Sequence, residues 1–181
     1  MTSFPIAKIR EAEVLRRAAC SDPSEEELRL LRECCRDGEY LIDYHIVERN
    51  RPMELLKDET LKARIGMCDA LIIFTASLGD AFREQMEGDD PEKMIFYRAL
   101  AAERLDALAE AYCDKKEQQL SVGGAFLTPH YPYSWEGVPE DSFTMTRIMG
   151  VSFDPEAHAP VRCRQCFKEN CPNRREEAEK H

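Results

Sequence analysis

The sequence predicts an α+β fold, helices packed with a sheet, and three stretches carry that prediction. Ala70-Leu71-Ile72-Ile73-Phe74 is an unbroken apolar run between Asp69 and Gly79-Asp80, the pattern of a strand buried on both faces. Pro91-Glu92 then opens a run with no internal Gly or Pro, in which Tyr97, Ala101, Leu105, Leu108 and Tyr112 recur at three- and four-residue spacing. That spacing puts one apolar stripe on a long helix over residues 92–118. Residues 40–47 alternate through Ile42, Tyr44 and Ile46, the period of a half-buried strand.

The remaining elements follow in chain order. Residues 9–20 read as a short helix with Val14, Leu15 and Ala18 on one side, interrupted by Ser21-Asp22-Pro23-Ser24. Ser24 and Glu27 have the spacing of a capping box, in which hydroxyl and carboxylate satisfy orphan amides at a helix start; Leu28, Leu31 and Cys35 mark that helix's apolar stripe. Gly38 is expected to end it, and Asn50-Arg51-Pro52 to turn the chain after the 40–47 strand. Residues 52–67 suit one or two helical turns with Leu55, Leu56, Leu61 and Ile65 inward. A helix-compatible segment follows the central apolar strand. Gly123-Gly124 breaks the long helix, and residues 128–137, dense in Pro and aromatics, read as an ordered, non-repetitive loop. Residues 143–153 read as a strand of weak alternation. The expected division is an α/β domain over 1–155 and a cysteine-bearing tail over 156–181, whose charged end should be solvated.

Composition narrows the function classes. At 181 residues and 43% hydrophobic, the chain can bury one sizeable core. A formal charge of −10 argues against a nucleic-acid partner, because phosphate binding depends on a basic surface. Met1-Thr2-Ser3-Phe4-Pro5 carries no apolar leader, and no segment approaches the roughly 20 apolar residues of a bilayer span. The expectation is a soluble cytoplasmic protein with no membrane partner, in which eight cysteines serve as thiols rather than as a disulfide framework.

Cys163-x2-Cys166-x4-Cys171-Pro172 is the strongest chemical signal in the spacing. Three soft thiolates within one compact loop can share a metal, and the proline stiffens that loop. A fourth position would be filled by one of Cys20, Cys34, Cys35, Cys68, Cys113, His158 or His181 for tetrahedral zinc, or by an exogenous ligand for an iron–sulfur cluster. The other five cysteines fall within or beside predicted elements and read as small buried hydrophobes. His45 reads as structural, and Ser77-Leu78-Gly79-Asp80 lacks the glycines and lysine of a phosphate-cradling loop.

A family resemblance covers most of the chain. It rests on the order of residues 9–16 (Ile-Arg-Glu-Ala-Glu-Val-Leu-Arg), residues 69–79 (Asp-Ala-Leu-Ile-Ile-Phe-Thr-Ala-Ser-Leu-Gly), Arg98-Ala99-Leu100-Ala101, Thr128-Pro129-His130-Tyr131, Asp141-Ser142-Phe143-Thr144-Met145 and the cysteine triplet. In that order the chain resembles the activation domain of cobalamin-dependent methionine synthase, and particularly its small stand-alone relatives that end in a cysteine cluster. The resemblance implies a curved, mainly antiparallel sheet packed with helices. It also implies binding of S-adenosylmethionine and support for reductive remethylation of an oxidised cobalamin. On the same basis Tyr131 matches the tyrosine of the family's ligand loop, and the candidate cofactor-binding set is Asp106, Thr128, Pro129, His130 and Tyr131. Asp106 falls where the family carries a glutamate, suited to a ligand's ammonium group. The chain departs from the pattern in three places: Phe126 stands where the family has a ligand-clamping arginine, His130 replaces a glycine, and the loop from Tyr131 to Gly137 is short.

Two functions follow. One is an accessory protein of corrinoid methyl transfer, acting on a corrinoid-carrying protein or methyltransferase. The other is a noncatalytic zinc or iron–sulfur module acting through protein contacts, for which Tyr131, Tyr133 and Trp135 would supply aromatic contacts or simply pack the loop.

Overall fold

The computed structural model describes residues 5–87, 90–134, 138 and 141–154. Helices α1 (Glu11–Arg17) and α2 (Glu25–Leu41) precede strand β1 (His45–Arg51). A 3-10 turn (Met53–Leu55) and α3 (Glu59–Ile65) lead into β2 (Ala70–Ser77), then α4 (Asp80–Glu87) and the long α5 (Pro91–Ser121). Two short strands, β3 (Phe126–Leu127) and β4 (Tyr131–Pro132), and the final β5 (Thr144–Ser152) complete the fold. The sheet runs β1-β2-β5-β3, with β4 also on β5, and every pairing is antiparallel.

Local chemistry accounts for the helix ends. The Ser24 hydroxyl accepts from Glu27 N at 3.2 Å while the Glu27 carboxylate accepts from Ser24 N at 2.8 Å, the reciprocal capping box the spacing predicts. The Asp58 and Asp90 side chains cap α3 and α5, the latter with Pro91 at its first turn. Gly124, at φ +72, carries the chain out of α5 in a conformation that a side chain disfavours.

The apolar run forms the central strand β2, and alternation sends its side chains to two cores. Ile72 and Phe74, with Met149 and Val151 of β5, meet Ala109 and Tyr112 of α5. Leu71, Ile73 and Ile148 meet Leu56, Leu61 and Ile65 on the other face. The predicted stripe of α5 is buried at all five positions, but Phe96, Leu100, Glu103 and Arg104 are buried as well. α1, α2 and α4 pack around the helix, so burial runs nearly all the way round it from residue 96 to residue 109. Glu103 and Arg104 pair within this core, and Arg104 also donates to the carbonyls of Ala7 (2.7 Å) and Lys8 (3.2 Å). Those bonds offset the desolvation of two charges.

Three sequence expectations are corrected. Residues 40–41 end helix α2 and the strand begins at His45, because Gly38 does not terminate the helix. Gly38 instead permits close helix packing: a Cβ there would lie 2.7 Å from Leu100 Cδ2. The region expected as a loop over residues 128–137 includes β4, which pairs Tyr131 with Ile148 and Pro132 with Arg147. Leu55, expected inward, is 60% exposed, because the 3-10 turn directs Met53 and Leu56, and not Leu55, toward the core. Among the described residues no helix is long and apolar enough to cross a membrane.

Candidate functional site

Along the β5 edge, Leu127 pairs with Val151 and Tyr131 with Ile148, so Thr128, Pro129 and His130 stand opposite only Met149 and Gly150. The extra residue makes a bulge, and Pro129, which has no N–H to donate, occupies it. Thr128 pins the bulge at both ends. Its N–H donates to Gly150 O at 2.9 Å, and its hydroxyl accepts from Gly150 N at 2.8 Å and donates to Pro129 O at 3.1 Å.

The bulge parts the residues that the resemblance groups together. His130 lies on the α5 side of the sheet, edge-on to Phe74 at 6.3 Å. Burial lowers its pKa, with Arg147 adding to the effect and Asp106 opposing it, and its Nδ1 is buried with no hydrogen-bond partner. Tyr131 points to the opposite side, packing against the Leu71, Ile73 and Ile148 core, and its hydroxyl donates to the Arg64 carbonyl at 3.0 Å. Asp106 is therefore near His130 and across the sheet from Tyr131.

Asp106 belongs to a chain of charges that joins α1, α5 and β5. Arg17 Nε lies 2.8 Å from Glu13, Arg17 Nη2 lies 2.7 Å from Asp106, and Arg147 Nη2 lies 3.7 Å from the second Asp106 oxygen. The hydrogen bond from Arg16, assisted by Arg17, holds the Glu13 carboxyl down at about 2. Arg147 pairs with Phe74 across the β2–β5 ladder and so faces α5. Burial lowers the pKa of its guanidinium, Asp106 opposes that shift, and Nε has no acceptor. Arg17, Asp106 and Arg147 are among the residues that line a cleft of about 1110 Å³, as are Leu56, Tyr133 and Thr146. Along its lining Asp58, Asp106 and Asp141 offset Arg17, Lys57 and Arg147, and such a site, neutral in sum but with opposite charges side by side, can hold a small polar molecule.

Sequence reasoning found Asp106 only through the resemblance and missed Arg147, Arg17 and Glu13. The Glu13–Arg17 helical spacing was readable. So was the oddity of Arg147, an arginine directly before Ile148 and Met149 in an apolar strand.

Cys163, Cys166 and Cys171, with His158 and His181, lie outside the described residues. Among the described residues no group of three potential ligands comes together. Cys34 and Cys35 sit in the core beside α5, and Cys113 lies 3.9 Å from Met149 Sδ. Burial pushes all three thiols up to about 12, which keeps them protonated and poor ligands at neutral pH. Cys68, 3.5 Å from Met53 Sδ, and Cys20, 3.7 Å from Glu27, lie in other parts of the fold, with their thiols also shifted up by desolvation.

Comparison with known proteins finds no family model that matches the chain and no curated protein that matches it.

Proposed function

We propose that this protein is an accessory of corrinoid-dependent methyl transfer, supporting the reductive reactivation of a cobalamin protein. The observation that carries this reading is the Cys163-x2-Cys166-x4-Cys171-Pro172 spacing, which accompanies an α+β body and a sequence whose order of segments resembles that of the methionine synthase activation domain. The chemistry calls for one-electron reduction of cobalt at low potential, then trapping of the reduced state by a methyl donor. The cysteine triplet would hold the metal; as an iron–sulfur cluster it supplies electron transfer, and as zinc it orders the tail. The cleft beside Asp106 is the place proposed for S-adenosylmethionine. The partner is a corrinoid-carrying protein or methyltransferase, and the compartment is the cytoplasm, where thiols stay reduced.

A second reading is favoured by the separation of Asp106 from Tyr131, together with Phe126 at the position of the clamping arginine. In that reading a zinc or iron–sulfur site serves a noncatalytic module that acts through protein contacts.

Metal analysis of anaerobically purified protein is the decisive test. A brown preparation with a broad visible band identifies an iron–sulfur cluster, and a colourless one with stoichiometric zinc identifies a structural site; in either case Cys166→Ser should lose the metal. A metal-free preparation overturns both readings. S-adenosylmethionine-dependent rescue of an oxidised corrinoid protein then separates the accessory from the module.

A further inference from the structure

Strand β1 leaves the sheet with an open edge. In the order β1-β2-β5-β3 it has a neighbour on one side only, and among the described residues no backbone hydrogen bond joins it to anything but β2. Every second N–H and C=O along its outer side therefore points away from the sheet. Proteins usually guard such an edge with proline, lysine, a bulge or an inward charge. His45–Arg51 contains neither proline nor lysine, and its seven residues pair one-to-one with β2 without a bulge. Its one carboxylate, Glu48, is taken up by the Tyr112 hydroxyl at 2.7 Å and by Lys116 at 2.6 Å on the α5 side. At the centre of the strand Val47 is 58% exposed.

We propose that this edge joins β1 of a second copy of the chain, antiparallel about a two-fold axis at Val47. The charges along the strand make it self-complementary, because Asp43 just before it is acidic whereas Arg49 and Arg51 at its far end are basic. Asp43 and His45 share a face, since their side chains meet at 3.0 Å, and alternation places Val47, Arg49 and Arg51 on that same face. Reversing a second strand about Val47 sets valine against valine and each Asp43 opposite the other copy's Arg51. Neighbouring registers fit less well. A centre at Glu48 opposes two carboxylates, a centre at Arg49 opposes two guanidiniums, and a centre at Ile46 leaves Asn50 and Arg51 facing the end of α2 instead of a strand. The dimer merges two five-stranded sheets into one, and the cleft, which no β1 residue lines, stays open. A seven-residue edge makes a small interface, so the association is weak and reversible.

The test is sedimentation velocity of the full chain over a concentration series, with hydrogen exchange at the two ends of that series. Wild type should pass from monomer to dimer as concentration rises, and the amides of residues 45–51 should gain protection with it. Val47→Lys, which brings two ammonium groups together at the axis, should weaken the dimer about tenfold or more. Asp43→Arg and Arg51→Asp should each weaken it about tenfold, and the double swap in one chain should restore it, because each new arginine then meets the other copy's new aspartate. All three positions are exposed, and circular dichroism confirms that each variant is folded. Cys166→Ser should dimerise as wild type does, which separates this contact from one through the terminal cysteines. A chain that stays monomeric at every concentration overturns the proposal, as does a dimer that Val47→Lys leaves intact or that Cys166→Ser abolishes. Single swaps that weaken the dimer without rescue by the double swap overturn the register.

Discussion

Asp106 and Tyr131 stand on opposite sides of the sheet. The carboxylate takes a 2.7 Å bond from Arg17 on the α5 side, and the phenol donates at 3.0 Å to the Arg64 carbonyl on the α3 side. They share no partner, so their contributions to stability should be independent. A double-mutant cycle with Asp106→Asn and Tyr131→Phe, measured by urea unfolding, should give a coupling below about 0.5 kcal/mol. A larger value would mean that the two side chains meet.

Gly150 lets β5 pass beneath α3. A Cβ at this position would lie 2.7 Å from Ile65 Cγ2 and 3.0 Å from both Cys68 Cβ and its sulfur, and the β-branched isoleucine has little room to turn. Gly150→Ala should therefore destabilise the protein by about 1–3 kcal/mol, despite the entropic gain from losing a glycine. A higher urea midpoint in the variant would show that the contact relaxes.

The buried Glu103–Arg104 pair ties residues 7–8 to the central helix. Arg104→Met leaves Glu103 with only the 3.3 Å contact from Arg10 and frees two carbonyls. The loss should be about 3–5 kcal/mol, since one buried charge loses its main partner. Replacing both residues with apolar ones of similar volume should recover part of that loss. If the single variant is as stable as wild type, the pair makes no net contribution.

Acid should act on Glu13. Its carboxyl is held at about 2, below an ordinary 4.5, by Arg16 first and Arg17 with it. The folded value lies below the unfolded one, so the contribution is complete above about pH 4.5 and is lost as pH falls toward 2. After allowance for solvent screening, wild type should lose about 1–2 kcal/mol more than Glu13→Gln across that window. Parallel unfolding curves taken within and above the window test this, and equal losses would refute it.

Thiol chemistry should divide the cysteines. Cys34, Cys35 and Cys113, all pushed up to about 12 by burial, should resist iodoacetamide at neutral pH and react only after denaturation. Peptide mass spectrometry reads each site individually. Rapid native labelling of Cys113 would contradict its burial beside Met149.

Much of the scaffold was legible because it is encoded over short distances. The Ser24–Glu27 box, Pro91 at the start of α5, the five-position stripe and the apolar run of β2 each report a local preference or a periodicity, and each holds in the fold. The failures share a cause. Residues 40 and 41 fall in the last turn of α2 despite the 40–47 alternation, and Gly38 lies inside that helix, where Leu100 approaches closely. Arg147 and Arg17 looked like ordinary charges until sheet register and helix packing placed them on either side of Asp106.

Sequence alone determined an α+β chain with a long helix, a buried central strand and a closely spaced cysteine triplet, since composition, period and spacing are properties of neighbouring residues. Only the tertiary structure decided that Asp106 faces Arg147 and that Tyr131 turns away. A one-residue bulge at Thr128, Pro129 and His130 changes which face of the sheet each following side chain occupies, and that depends on β5, whose paired residues lie about twenty positions further along the chain.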